Sequence, residues 1–479
     1  MDRMRFSLLL WVVALLVFAG CEDDDSFSVS QSDRLWFTAD TVKMDTLFSA
    51  VPSITKSFWV HNDNSKGLRC TSVRLERGNQ SGFRVNVDGV YLSRDAGYQT
   101  GGVEIRKGDS LRVFVELTSP GNGKQTPQLV EDNLVFLLES GREQKVNLNA
   151  WSWDATKYTD LHIAKDTMLT GEKPIVVYGK LTVETGATLT LAAGTTLYFH
   201  HGAGIDVYGR LQCLGEPGNE VTLRGDRLDW MFDYLPYDLM SGLWAGVRFY
   251  EPSYDNVMAF TDLHSSFDGI VCDSADVNKQ KLTLKNMTVH NCQGTGLGMS
   301  NCRVTAENCQ FTNTLKACVD MTGGNVAMNF CTLAQFYPFD GNRGPALNFR
   351  STTTMPLKLI CTNSIVTGYA EDVVMGSTEG EEEAFDYLFE TCILRTPKVD
   401  DEVRMKDVVF EDVEDTASVQ GEKHFKLVNV DTQHYDFRLS AKSTAIDKGN
   451  PAYPADNDRD GKKRGEKPDV GCFEFLSEE

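Results

Sequence analysis

A tetrapeptide recurs through the second half of the chain: Phe260-Thr-Asp-Leu, Asn286-Met-Thr-Val, Asn308-Cys-Gln-Phe, Phe330-Cys-Thr-Leu, Asn363-Ser-Ile-Val and Thr391-Cys-Ile-Leu. Its second residues are Thr261, Met287, Cys309, Cys331, Ser364 and Cys392, separated by 26, 22, 22, 33 and 28 positions. A second register follows the first four, at Ile270, Leu297, Val319 and Leu347. A basal period of 22 residues, with β-type strands and loop insertions, demands a solenoid in which each repeat is one coil. One coil cannot bury its own apolar face, so coils must stack.

Strand alternation then assigns sidedness. Cys309 and Phe311 point inward, and Gln310 and Thr312 outward. Coils stack about 4.8 Å apart, so Met287, Cys309 and Cys331 form an internal column. This explains most of the twelve cysteines as small apolar core residues. The spacing also admits a Cys309–Cys331 bridge; free thiols are the expectation.

The segment STAIDKGNPAYPADNDRDGKKRGEKPDVGCFEF, with Asp460-Gly461, Arg464 and Asp469 to Glu474, resembles the closing segment of right-handed parallel β-helix repeat proteins. Cys472 stands where Ala is usual. GLWAGVRFY, Gly242 to Tyr250, resembles an early coil of the same proteins. The resemblance implies a right-handed parallel β-helix over residues 157–475. That fold hosts lyases, hydrolases, adhesins and inert scaffolds, so it licenses no reaction.

Residues 31–153 read differently. SFWVHNDNSKG, FRVNVDG, SLRVFVEL and DNLVFLLESGREQKVNLNAW are strand-length segments that alternate or run apolar, divided by turns. They imply an antiparallel, immunoglobulin-like β-sandwich that acts as a spacer. The whole chain is therefore expected to be all-β.

The N-terminus says where such a chain resides. A basic MDRMR precedes a short apolar run from Phe6 to Phe18, suited to a signal peptide over residues 1–20 and too short to span a bilayer. Ala19-Gly20-Cys21 resembles a bacterial lipobox, which makes Cys21 the lipidated residue. Glu22-Asp23-Asp24-Asp25, within an acidic tether over 21–30, resembles the surface-export signal of one group of Gram-negative lipoproteins. The expectation is an outer-membrane protein, lipid-anchored and facing outward. A formal charge of −21 without a basic cluster argues against nucleic acid as a partner.

Candidate sites are scattered. Asp273, Asp320 and Arg350 share the outward face of the second register, where β-helix lyases place acids beside a base. His264 and His290 occupy the same outward slot of consecutive coils and can hold a metal or share acid–base work, but show no matched carboxylate. His162, His200 and His201 show no partners. Asp456, Asp458 and Asp460 spell the opening of a calcium loop whose twelfth position, Lys467, is not the required Glu; structural calcium is the one cofactor this pattern suggests. Two insertions are rich in aromatics. One carries Trp230, Phe232, Tyr234, Tyr237 and Trp244. The other carries Phe336, Tyr337, Phe339, Asp340 and Arg343, a set suited to sugar rings. The reading is a non-catalytic surface protein that binds polysaccharide or another surface ligand, or builds the envelope. Its rival is a lyase or hydrolase acting on an acidic glycan, and the sequence does not decide between them.

Overall fold

A computed structural model describes residues 26–476 apart from 233 and 416. The apolar leader, Cys21 and the acidic tetrad lie outside the described residues. The chain divides into two compact units, Met1–Trp153 and Asp154–Glu479.

The first unit is a two-layer β-sandwich. A five-stranded and a six-stranded sheet share one core, with Phe58, Val60, Val113 and Val115 from one layer against Val73, Leu134, Phe136 and Leu148 from the other. Among the described strands the pairing is antiparallel except where Thr41–Phe48 runs parallel to Glu143–Trp153, and Phe27 adds an isolated parallel bridge to Gly67. Inward and outward residues alternate cleanly along Ser110–Leu117, as a strand with one buried face must.

The second unit is a parallel β-helix with three ladders, and each central coil gives one strand to each. In one coil these strands are Arg303–Glu307, Gln310–Thr314 and Val319–Thr322. Each pairs in parallel with its counterpart on the next coil: Gly324–Asn329, Thr332–Gln335 and Leu347–Ser351. Met287, Cys309, Cys331 and Cys392 are fully buried in one continuous core. All eleven described cysteines are free thiols.

The repeated tetrapeptide begins at a corner of the coil. Phe260, Asn286, Asn308, Phe330, Asn363 and Thr391 all adopt positive φ, from +41° to +56°. Among residues with a side chain, Asn pays least for that conformation, which accounts for three of the six.

These corner asparagines also hold the C-terminal segment. Their carboxamide N–H groups donate to backbone carbonyls: Asn363 to Asn450 at 3.2 Å, Asn308 to Asn457 at 2.7 Å, and Asn286 to Asp458. The Arg464 guanidinium, itself buried, reaches Asn308 Oδ1 at 2.7 Å, Glu474 at 2.5 Å and the Gly471 carbonyl at 2.9 Å, and lies 3.9 Å over the Phe330 ring. Residues 450–475 thus form a strap along several coils. Ahead of it, an antiparallel hairpin, Phe425–Asn429 with His434–Leu439, covers the later coils. Phe425, Phe437 and Leu439 pack on Ala334, Phe336, Ile365 and Ile393.

Candidate functional site

One outward face explains where the hairpin ends and a cleft begins. Register places Asp262, Thr288, Gln310, Thr332, Ile365 and Ile393 in a single row across successive coils. The row is polar in the early coils and apolar in the late ones. Apolar positions lie under the hairpin. Over the polar ones a cleft of about 290 Å³ stays open, floored by Asp262, His290, Gln310 and Thr312 and walled by Tyr435, Arg438, Arg459 and Asp460.

His264 and His290 are register partners on adjacent strands, Thr261–His264 and Thr288–Cys292. Their rings stack with centroids 4.8 Å apart, the natural coil spacing. Matched carboxylates are present. Asp262 stands two residues before His264 on the same face, with its Oδ1 2.7 Å from His264 Nδ1 and 3.3 Å from His290 Nε2. The other His264 nitrogen, Nε2, lies 2.8 Å from Asp238 Oδ1. Asp238 is carried in by the first aromatic insertion and held at 2.7 Å by Arg224.

This arrangement sets the charge states. Burial of the His264 ring works against its proton, but Asp262 and Asp238 together outweigh burial and raise its pKa to about 9. Burial likewise works against ionisation of Asp262, and the two imidazoles overcome it, holding the carboxyl well below its ordinary range. Asp238 is lowered too, against burial, by His264 and then Arg224.

The walls are polar and mutually paired. Arg459 Nε donates to Thr288 Oγ1 at 2.8 Å, and Nη1 reaches Glu220 at 3.5 Å. Arg438 pairs with Asp460 at 2.8 Å and Asp436 at 3.1 Å. Asn313 lines the cleft, is 1% exposed, and leaves its Oδ1 without a hydrogen-bond partner among the described residues.

The other sequence-predicted residues fall as follows. Asp320 and Arg350 meet at 3.3 Å, with Asn348 also on Asp320 at 2.9 Å. Asp273 does not join them; it pairs with Arg248 at 2.9 Å, two coils away from Asp320. In the second aromatic insertion Phe336 and Tyr337 are buried. Phe336 anchors the hairpin, the Tyr337 hydroxyl meets Ser241 at 2.8 Å, and Arg343 donates to the Tyr337 carbonyl. Asp340 caps the backbone N–H of Asn342, and only Phe339 stays exposed among the three aromatics. In the first insertion Trp244 is buried and stacks on Phe199 at 4.4 Å, whereas Trp230, Phe232 and Tyr234 are exposed.

The aspartates of the D-x-D-x-D-G segment are turned to local use. Asp458 accepts from the amides of Asp460, Lys462 and Glu474, and Asp460 pairs with Arg438. The Asp456 carbonyl accepts the Arg464 amide. His162 and His200 find Glu184 and Asp226 at 2.9 and 2.8 Å, each about one coil away in sequence.

No protein-family model and no curated protein matches the chain. Several solved structures do align. A protein of unknown function from Porphyromonas gingivalis W83 aligns at 13% identity over 25% of this chain and 46% of its own, TM-score 0.19. A pectate lyase aligns at 13% identity over 67% of this chain and 97% of its own, TM-score 0.32. The catalytic domain of an α-1,3-glucanase aligns at 9% identity over 74% and 90%, TM-score 0.18. The chain thus spans less than half the length of the first of these. None of the three bears on the chemistry of the cleft.

Proposed function

We propose that the chain is a lipid-anchored cell-surface protein whose β-helix cleft holds a saccharide. The observation that carries this reading is the cleft itself: a polar trough on a rigid parallel scaffold, with amides, hydroxyls and carboxylates converging beside the Tyr435 and Phe437 rings. Charge narrows the class. Glu220, Asp262, Asp436 and Asp460 outnumber Arg438 and Arg459, and both arginines are already paired. With no cation bound in the trough, a uronate would meet net repulsion, so a neutral, hydroxyl-rich glycan fits better. The immunoglobulin-like outline of the spacer and the right-handed winding belong to the same reading, as does anchoring through Cys21 at the outer face of the outer membrane.

A hydrolytic alternative draws on the Asp262–His290 contact at the cleft floor, which sets an acid–base pair against the trough. The second aromatic insertion becomes secondary, because two of its three rings are spent on packing.

Retention on a panel of immobilised neutral and acidic glycans tests the proposal, with product analysis for shortened chains. Asn313→Gly suits its positive φ and removes the side chain that carries the carboxamide. It should weaken retention, as should Gln310→Ala. Equal retention by both variants, or none by the parent chain, would overturn the cleft assignment. Appearance of shortened products that vanish in His290→Ala would move the reading to hydrolysis.

A further inference from the structure

We propose that Asp262, His264 and His290 form a binding site for a divalent first-row transition-metal ion, open towards the cleft. Their ligand atoms all lie within 4.8 Å of one another. Around a tetrahedral ion with bonds of about 2.0–2.1 Å, neighbouring ligand atoms stand roughly 3.3 Å apart. The Asp262–His290 separation is already 3.3 Å. Asp262 and His264 are closer, at 2.7 Å, because the His264 N–H donates to the carboxylate. An ion at that position takes the place of the proton, and the pair opens by about half an ångström to reach the same spacing.

Three further features favour an ion. Behind His264, Nε2 donates to Asp238, and Arg224 holds Asp238. A carboxylate on the far nitrogen of a histidine is the arrangement that fixes tautomer and ring orientation in metal sites. Next, the scaffold presets the distances. Asp262 and His264 share one strand at i and i+2, and His290 is held opposite His264 by backbone pairing, so little ordering remains to be done on binding. Finally, Asp262 and His290 face the cleft while His264 is buried. The fourth position therefore opens to solvent, as in sites where an ion keeps a water or takes a substrate oxygen.

The donor set selects the ion. Two imidazoles and one carboxylate suit zinc, iron(II) or manganese, whereas calcium takes oxygen alone. The site is separate from the aspartate-rich turn at 456–460, and the inference does not depend on the saccharide reading.

The test uses the full untagged chain, stripped with chelator and titrated with Zn2+ by calorimetry. Bound metal is counted after gel filtration, and Co2+ serves as a visible-absorption probe. One equivalent should bind, with Co2+ bands of low symmetry. His290→Ala, at a partly exposed position that should leave folding intact by circular dichroism, should abolish the stoichiometric site. Asp238→Asn, a positioning residue, should weaken affinity by about 10–100-fold without changing stoichiometry. His162→Ala should change nothing. Zinc binding equal in the parent chain and a folded His290→Ala variant, or no stoichiometric binding by the parent, would overturn the proposal. Either result is read from metal content, so it is distinguishable from loss of glycan retention.

Discussion

Replacing Arg464 with methionine should release the strap. The guanidinium makes short contacts with Asn308 (2.7 Å), Glu474 (2.5 Å) and the Gly471 carbonyl (2.9 Å), and longer ones with the Asp469 carbonyl and, through Nε, Asn308, both at 3.3 Å. Its side chain is 3% exposed and that of Glu474 12%. Methionine fills the space over Phe330 but leaves Glu474 buried without its cation. Breaking a buried pair from one side costs about 3–5 kcal/mol. At about 1.4 kcal/mol per tenfold, hydrogen exchange of the strap amides should accelerate by roughly two to three and a half powers of ten, because these amides report local opening. Gly471, whose N–H donates to the Asn363 carbonyl at 2.8 Å, is the amide to follow. Arg464→Lys keeps the charge but loses the planar fork, so it should fall between the two. Acceleration of less than about threefold in Arg464→Met would show that the strap is held by its apolar contacts and that the guanidinium cluster is incidental.

Cys309→Ser should destabilise by about 1–3 kcal/mol, because it puts a hydroxyl into the apolar column; denaturant midpoints check this, and thiol titration of unfolded, unreduced protein should find the column cysteines reactive. Glu411 is buried, which opposes its ionisation, but His424, the Gly421 amide and Thr367 together hold its pKa below the ordinary 4.5. A lowered carboxyl stabilises the fold above that ordinary value and loses the contribution as pH falls through the folded value. Glu411→Gln should therefore flatten the stability–pH slope below about pH 4.5, and an unchanged slope would remove Glu411 from the acid response. Cys21→Ala should move the protein from the membrane to the soluble fraction; continued membrane association would end the lipid-anchor proposal.

The solenoid was legible because its period is written in apolar residues that a stack requires. The tetrapeptide marks the start of one ladder, and its first residue marks the corner, although Phe260, Phe330 and Thr391 conceal the conformational demand that Asn286, Asn308 and Asn363 reveal. The site was half legible. His264 and His290 were visible as a pair at coil spacing, and Asp262 was within reach of the same argument, since i and i+2 share a face. Asp238 was not, because an insertion delivers it and no period governs insertions. The insertion stands out in the sequence by its aromatics, whereas its aspartate is what meets His264 and Arg224. The cover was also encoded, in the change from Asp262, Thr288 and Gln310 to Ile365 and Ile393 along one outward row. An outward row that turns apolar has something lying on it, and the hairpin at 425–439 comes too late in the chain for local pattern to connect the two.

The strap has a consequence in time. Coils touch only their neighbours, so they can form progressively as the chain emerges. Arg459 and Asp460 wall the cleft, yet their partners Thr288 and Arg438 precede them by 171 and 22 positions. Each coil is therefore complete before the trough has its second wall. A product cut short after the coils would keep its ladders and the cysteines stacked inside them, but it would lack Cys472 and the strap, leave Ile365 and Ile393 uncovered, and have no cleft. Translation through residue 475 is therefore needed both to cover the late coils and to complete the cleft proposed above as the binding site.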